Sequence, residues 1–163
     1  MKVAFDASTL ILLAKIDLLR LVTENFDCVI TEEVRKESAQ KKKSFDANMI
    51  VQLIKEKKLK IVKVKIKKEL EYEFRLGRGE VSTINLALKK KLVVATDDKL
   101  AIKVCRIFDI KFVTAIDFVT GAFEKRIISK EEAKSKINKL DEYGRYDTKV
   151  IKMALEKIGD GHE

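Results

Sequence analysis

Apolar and polar positions along the chain switch between a period of two and a period near 3.6, the rhythms of strand and helix. Lys2–Phe5 reads as a short strand ending at Asp6, and a largely buried helix runs from Ser8 to about Val22. Phe26–Ile30 predicts a second strand. Thr31 is then placed to cap a helix containing Glu32, Glu33, Val34, Arg35, Lys36 and Glu37. From Asp46, Met49, Ile50, Leu53 and Ile54 share one helical face. Lys60–Ile66 alternates charged and aliphatic residues, as a half-exposed or edge strand does. Lys68–Arg75 predicts a short charged helix, and Leu76-Gly77-Arg78-Gly79 a turn. A helix then starts at Glu80, with Ile84 and Ala87 on the stripe of its carboxylate. The run Leu92–Ala95 is a buried strand that stops at Thr96-Asp97-Asp98, before a helical pattern through Phe108. Lys111–Thr114 is a last strand. Residues 116–124, 130–143 and 148–158 are helical, with Gly121 and Gly144 as interruptions. Strands alternating with helices through short connections predict an α/β fold with a mainly parallel sheet flanked by helices. Its length of 163 residues suits one domain, 1–163, with 115–163 as a helical extension packed on it.

Charge changes the picture more than length does. The chain carries a formal +9, and residues 35–68 hold thirteen Lys and Arg against only Glu37, Asp46 and Glu56, a local +10 that leaves −1 for the rest. Such a regional basic segment suits a polyanion such as nucleic acid; a solvated lysine-rich surface is the other reading. Cys28 and Cys105 are far apart, with no CxxC pair, which excludes the usual zinc spacings and fits buried, reduced thiols in a cytosolic protein. The single histidine, His162, lies in a polar tail, which speaks against a histidine-based triad. The apolar stretch from Leu10 to Val22 is broken by Lys15, Asp17 and Arg20, too short and too charged to span a bilayer. No signal-peptide pattern is read, and the expectation is a cytoplasmic protein without a membrane partner.

Against this background the acids at strand ends stand out. Asp6 ends the first strand, and Asp97 and Asp98 end the strand at 92–95. In an open parallel sheet ligands bind at the carboxyl ends of strands. Helices that follow those strands begin at the same edge, which brings in Glu37 and Glu80. Each acid has a purely structural role open to it as well: Asp6 and Asp98 as helix caps, Glu80 as a dipole partner. Carboxylates that converge must be protonated, paired with bases, or gathered round a cation, and an all-oxygen set suits Mg²⁺ or Mn²⁺.

Four stretches, FDAST at 5–9, VRKE at 34–37, GRGEVSTINLAL at 77–88 and VATDDKLAIKVC at 94–105, together resemble the acidic motifs of PIN-domain ribonucleases. Residues 113–159 resemble the helical tail of the VapC-like branch that carries the GxGE and DD motifs. The resemblance implies a three-layer α/β/α sandwich and Mg²⁺- or Mn²⁺-dependent endoribonuclease chemistry. Carried over residue by residue, it makes Asp6, Glu37, Glu80 and Asp98 the catalytic acids, Asp6, Glu80 and Asp98 the metal ligands, and Asp97 an added or alternative ligand. Glu37 is preferred to Glu32 and Glu33 because the family acid lies further into this helix. Ser8 matches a hydroxyl near the metal, and a helix cap is its other role. Asp109 stands where the family has glycine, and Asp117 is read as a surface residue. Arg35, Lys36, Arg75, Arg78 and Lys99 would contact RNA. Relatives of this kind are often toxins neutralised by a small antitoxin and often form homodimers. The alternative is a PIN-fold RNA-binding or assembly module without activity.

Overall fold

The computed structural model describes residues 1–39, 44–144 and 146–160; of the stretch Lys41-Lys42-Lys43-Ser44, whose composition predicts a basic loop, the three lysines lie outside the described residues, as does His162. Five strands, β1 (Lys2–Phe5), β2 (Asp27–Thr31), β3 (Leu59–Val62), β4 (Val93–Ala95) and β5 (Phe112–Val113), form one sheet in the order β3-β2-β1-β4-β5, with every pairing parallel. Seven helices belong to the same compact unit, Met1–Val113: α1 (Ala7–Lys15), α2 (Leu19–Asn25), α3 (Glu32–Ser38), α4 (Phe45–Lys55), α5 (Lys68–Phe74), α6 (Arg78–Lys90) and α7 (Lys99–Ile107). This is the three-layer α/β/α architecture with an all-parallel sheet. A second unit, Thr114–Glu163, contains α8 (Ala115–Glu124), α9 (Lys130–Tyr143) and α10 (Thr148–Asp160), which pack on one another.

Val3, Ala4 and Phe5 of β1 and Cys28, Val29 and Ile30 of β2 are all buried, as expected of parallel strands covered on both faces. Each such Val, Ile or Phe side chain contributes roughly 1.5–3 kcal/mol by leaving water. One cluster joins Val81, Ile84 and Ala87 of α6, Val94 of β4 and Ala101, Val104 and Cys105 of α7. The apolar stripe of α6 therefore lies on the sheet, where it packs against β1, β2 and β4.

Three predicted elements end elsewhere. The helix expected from Ser8 to Val22 is two helices, α1 and α2, because Asp17 takes a left-handed conformation (φ 55°) between them, a state that Asp tolerates better than most residues. The strand expected to reach Ile66 stops at Val62. Its neighbour β2 ends at Thr31, opposite Val62, and turns into α3, so the later residues have no ladder to join. Gly121 does not interrupt α8, which runs unbroken through it, whereas Gly144 does end α9.

Candidate active site

The chain winds from β1 outward through β2 to β3 and then returns to the other side of β1 for β4 and β5. The strand order thus reverses between β1 and β4, and such a switch point opens a crevice at the carboxyl edge. Asp6 follows β1 and Thr96-Asp97-Asp98 follows β4 at this place. Phe5 is in register with Ala95, and the Asp6 backbone N–H donates to the Ala95 carbonyl at 3.0 Å.

Asp6 is almost completely buried, at 1% exposure. It caps α1, accepting from the Thr9 backbone N–H at 3.0 Å and the Ser8 hydroxyl at 2.8 Å through Oδ1, while the Thr96 hydroxyl donates to Oδ2. Burial pushes its pKa up to about 7; the bonds from Thr96, Thr9 and Ser8 oppose that rise, and the charge of Glu80 adds to it. Thr96 also accepts from the Asp98 backbone N–H at 3.2 Å, so one hydroxyl ties the end of β1 to the start of α7. Asp98 caps α7, accepting from the Ala101 N–H at 2.8 Å through Oδ1. Asp97 turns the other way, where its Oδ2 accepts from the Thr9 hydroxyl at 2.5 Å and its N–H reaches the Ser8 hydroxyl at 3.4 Å. Ser8 therefore joins Asp6 to Asp97 rather than capping the helix.

Glu80 lies in the first turn of α6, where the helix dipole favours an acid. Its pKa is raised, first by burial and then by the charge of Glu37, with Asp98 adding to the rise and the N–H groups at the helix start opposing it. Glu37, near the end of α3, accepts from the Gly79 N–H at 3.0 Å. A set of buried hydroxyls fixes this helix start. The Thr31 and Ser82 hydroxyls lie 2.6 Å apart, and those of Ser82 and Thr83 donate to the Gly79 carbonyl at 2.8 and 2.9 Å.

The two glycines of this stretch differ from the predicted turn. Gly77 is the N-cap of α6 with an ordinary φ of −68°, and Gly79 is already helical. They provide room rather than backbone freedom. A Cβ on Gly77 would sit 2.4 Å from Glu80 Oε2, and one on Gly79 would sit 2.4 Å from Glu37 Oε2.

Four carboxylates from distant parts of the chain thus feel one another's charge at one sheet edge: Asp6 and Glu80, Glu80 and Glu37, Glu80 and Asp98. Their donors are all oxygen, with hydroxyls beside them, a set whose chemistry fits a hard divalent cation. Among the described residues, however, no three His, Cys, Asp or Glu side chains are grouped so as to hold a metal ion as they lie. Their oxygens are already engaged in hydrogen bonds: Asp6 through both, Asp98 through its cap, Glu37 on Gly79 and Asp97 on Thr9.

Of the predicted RNA contacts, Arg78 opens α6 beside Glu80, Lys99 opens α7 beside Asp98, and Arg75 ends α5 in a left-handed conformation (φ 51°); all three are exposed. Lys36 is exposed on α3. Arg35 is partly exposed and paired with Glu32 through Nε and Nη2, at 2.5 Å for the latter. Within the basic segment, Lys58 pairs with Glu24 and Lys60 with Asp27. Asp117 forms a capping box with Thr114 at the exposed start of α8. Both cysteines are free and buried; burial pushes the Cys28 thiol up to about 12 and the Cys105 thiol up to about 11, the latter helped by Asp6. Thr96 and Thr9, absent from the predicted site, hold Asp6 and Asp97; the only trace of Thr96 in the sequence is a hydroxyl residue at a strand end ahead of two acids. Among the described residues no helix is long and apolar enough to cross a membrane.

No curated protein matches the chain. A family model described as a PIN domain, a nuclease-type fold, matches residues 2–160. With four acids gathered at the switch point of a parallel sheet and nearly its whole length covered by that match, the chain belongs to the PIN-domain family.

Proposed function

We propose that this protein is a Mg²⁺- or Mn²⁺-dependent endoribonuclease. The observation that carries the reading is the convergence of Asp6, Glu37, Glu80 and Asp98 on one crevice, where burial raises the pKa of Asp6 and of Glu80 and neighbouring carboxylate charge adds to the rise, from Glu80 on Asp6 and from Glu37 and Asp98 on Glu80. Such clustering is unfavourable unless protons or a cation compensate it. Asp6, Glu80 and Asp98 would hold the ion, with Asp97 able to join by releasing Thr9. A bound divalent ion would supply neutralisation of the scissile phosphate and a more acidic water. The chain's own groups then do the rest. Thr96, Ser8 and the Thr9 N–H keep the Asp6 carboxylate in place. Glu37, oriented by the Gly79 N–H, directs the attacking water through its other oxygen. Arg75, Arg78, Lys99, Lys36 and Arg35 track the RNA backbone as phosphate contacts that carry no sequence information.

The test is cleavage of single-stranded RNA with millimolar Mn²⁺ by the wild-type chain and by Asp6→Asn/Asp98→Asn. Both substitutions keep the size of the side chain, so folding is retained while cleavage is lost. Cleavage retained in the double variant overturns the assignment of these acids. A second reading, a PIN-fold RNA-binding or assembly module without activity, is favoured by the separation of the carboxylates in their present positions. RNA binding by the wild type with no cleavage in any divalent metal would establish it. Likeness to the VapC-like branch supports a finer version, a toxin with a small antitoxin partner and a homodimeric state in the cytoplasm. Its support is the motif pattern at 77–88 and 94–105 together with the tail at 113–159.

A further inference from the structure

A second cavity, of about 550 Å³, lies away from the carboxylate edge, between the segment 64–67 that follows β3 and the second half of α6. Its volume is within the range of roughly 300–1,000 Å³ typical of small-molecule sites. Val64, Ile66 and Leu88 form an apolar wall, and Leu88 keeps 40% of its surface exposed. Lys65, Lys67 and Lys89 surround the opening, no acid lines it, and none of the three lysines forms an ion pair among the described residues. Asn85 completes the lining. It is only 6% exposed, yet its amide nitrogen is buried with no hydrogen-bond partner. Buried polar groups are nearly always paired, and an orphan donor costs about 1–3 kcal/mol until an acceptor reaches it.

The three ammonium groups and the unpaired Asn85 N–H outweigh the one side-chain acceptor of the lining, the Asn85 carbonyl oxygen, and the occupant that fits is rich in acceptors and carries more than one negative charge. A carboxylate supplies one charge, whereas a phosphomonoester supplies about −1.5 to −2 and three acceptor oxygens at neutral pH. The apolar wall asks in addition for a ring or other non-polar body. We infer that this cavity binds a phosphomonoester of mononucleotide size, with the phosphate among Lys65, Lys67 and Lys89, an acceptor on the Asn85 amide, and the ring on Val64, Ile66 and Leu88. The inference stands independently of the nuclease reading. The same chemistry can come from a free nucleotide or from the phosphorylated end of an RNA chain.

Calorimetric titration of the full chain with adenosine 5′-monophosphate tests it, in EDTA so that no cation bridges ligand and carboxylates. Saturable binding at one site per chain is expected, with inorganic phosphate weaker by about tenfold or more because it leaves the apolar wall uncovered. Lys65→Glu/Lys89→Glu changes only exposed side chains and should weaken the nucleotide by at least about tenfold; Asn85→Leu should do so by about tenfold. Should Asn85→Leu fold poorly, the lysine pair keeps the test decisive. A 5′-phosphorylated tetraribonucleotide separates the sources: binding as tight as the mononucleotide and equally sensitive to the lysine pair assigns the cavity to an RNA end, and binding of the mononucleotide alone assigns it to a free ligand. No saturable binding of the mononucleotide, or affinity unchanged within about twofold in the lysine variant, overturns the inference.

Discussion

Gly79 shows how closely Glu37 is seated against the start of α6. Its N–H holds Glu37, and its missing side chain makes room for that carboxylate. Gly79→Ala would drive a Cβ into the mobile end of Glu37, a contact the side chain can relieve by turning away. The fold should therefore survive, since Ala is the better helix former by about 1 kcal/mol. Glu37 should lose its place, and RNA cleavage should fall by about ten- to a hundredfold, the scale of a misplaced catalytic group. Cleavage assays beside a thermal melt check this: full activity with an unchanged melt would show that the position of Glu37 is immaterial. Thr96 teaches a related lesson. One hydroxyl donates to Asp6 and accepts from the N–H of Asp98, so the acids that end β1 and β4 are linked through a residue with no charge of its own.

At the level of elements, caps and candidate site coincide. Asp6 opens α1 and Asp98 opens α7, and both sit at the carboxyl edge because helices following parallel strands must start there. Capping does not compete with the proposed ligation at these residues, since the cap orients the carboxylate. The glycines divide differently. Gly77 and Gly79 give space to acids, whereas Gly121 in the middle of α8 would place a Cβ in open space. Gly121→Ala should stabilise the protein by about 0.5–1 kcal/mol, because the unfolded chain loses freedom and the helix loses nothing. Urea unfolding measures it, and a loss of stability would mean that α8 needs the glycine. No described glycine has a positive φ; Asp17, Lys57, Arg75, Lys91, Asp109 and Arg126 take the left-handed positions instead.

For the whole molecule, the burial of Asp6 and Glu80, with neighbouring acids adding to it, makes stability depend on pH. Native Asp6 keeps its proton up to about pH 7, while in the unfolded chain it loses it near 3.8. Between those values the native state binds more protons, so the contribution of Asp6 is largest in acid and falls as pH rises from about 4 to 7, by roughly 4 kcal/mol in all. The raised Glu80 acts in the same direction. Asp6→Asn should remove this part of the slope and be more stable than the wild type at pH 8. Mn²⁺ competes with the proton, so it should raise the melting temperature of the wild type more at pH 8 than at pH 5, and that of Asp6→Asn little at either. Equal metal shifts in both proteins would separate the cation from Asp6.

The local rhythm of the chain suffices for most of the architecture, because side-chain periods of 2 and 3.6 record which faces are covered. β1, the helix after Asp98 and the order of strands and helices are legible in that way, and so is the arrival of Asp6 and Asp98 at one edge. Events that depend on a neighbour are not. β3 stops at Val62 because β2 stops opposite it, while the alternation continues to Ile66. The glycines at 77 and 79 look like a turn, since nothing nearby in sequence reveals that Glu37, forty-two residues from Gly79, needs the room. Thr96 and Asn85 look like ordinary polar residues until packing brings one onto Asp6 and leaves the amide of the other enclosed without a partner. Residue types and strand ends name the acids, but their mutual distances, protonation and hydrogen-bond partners arise from contacts between segments far apart in the chain.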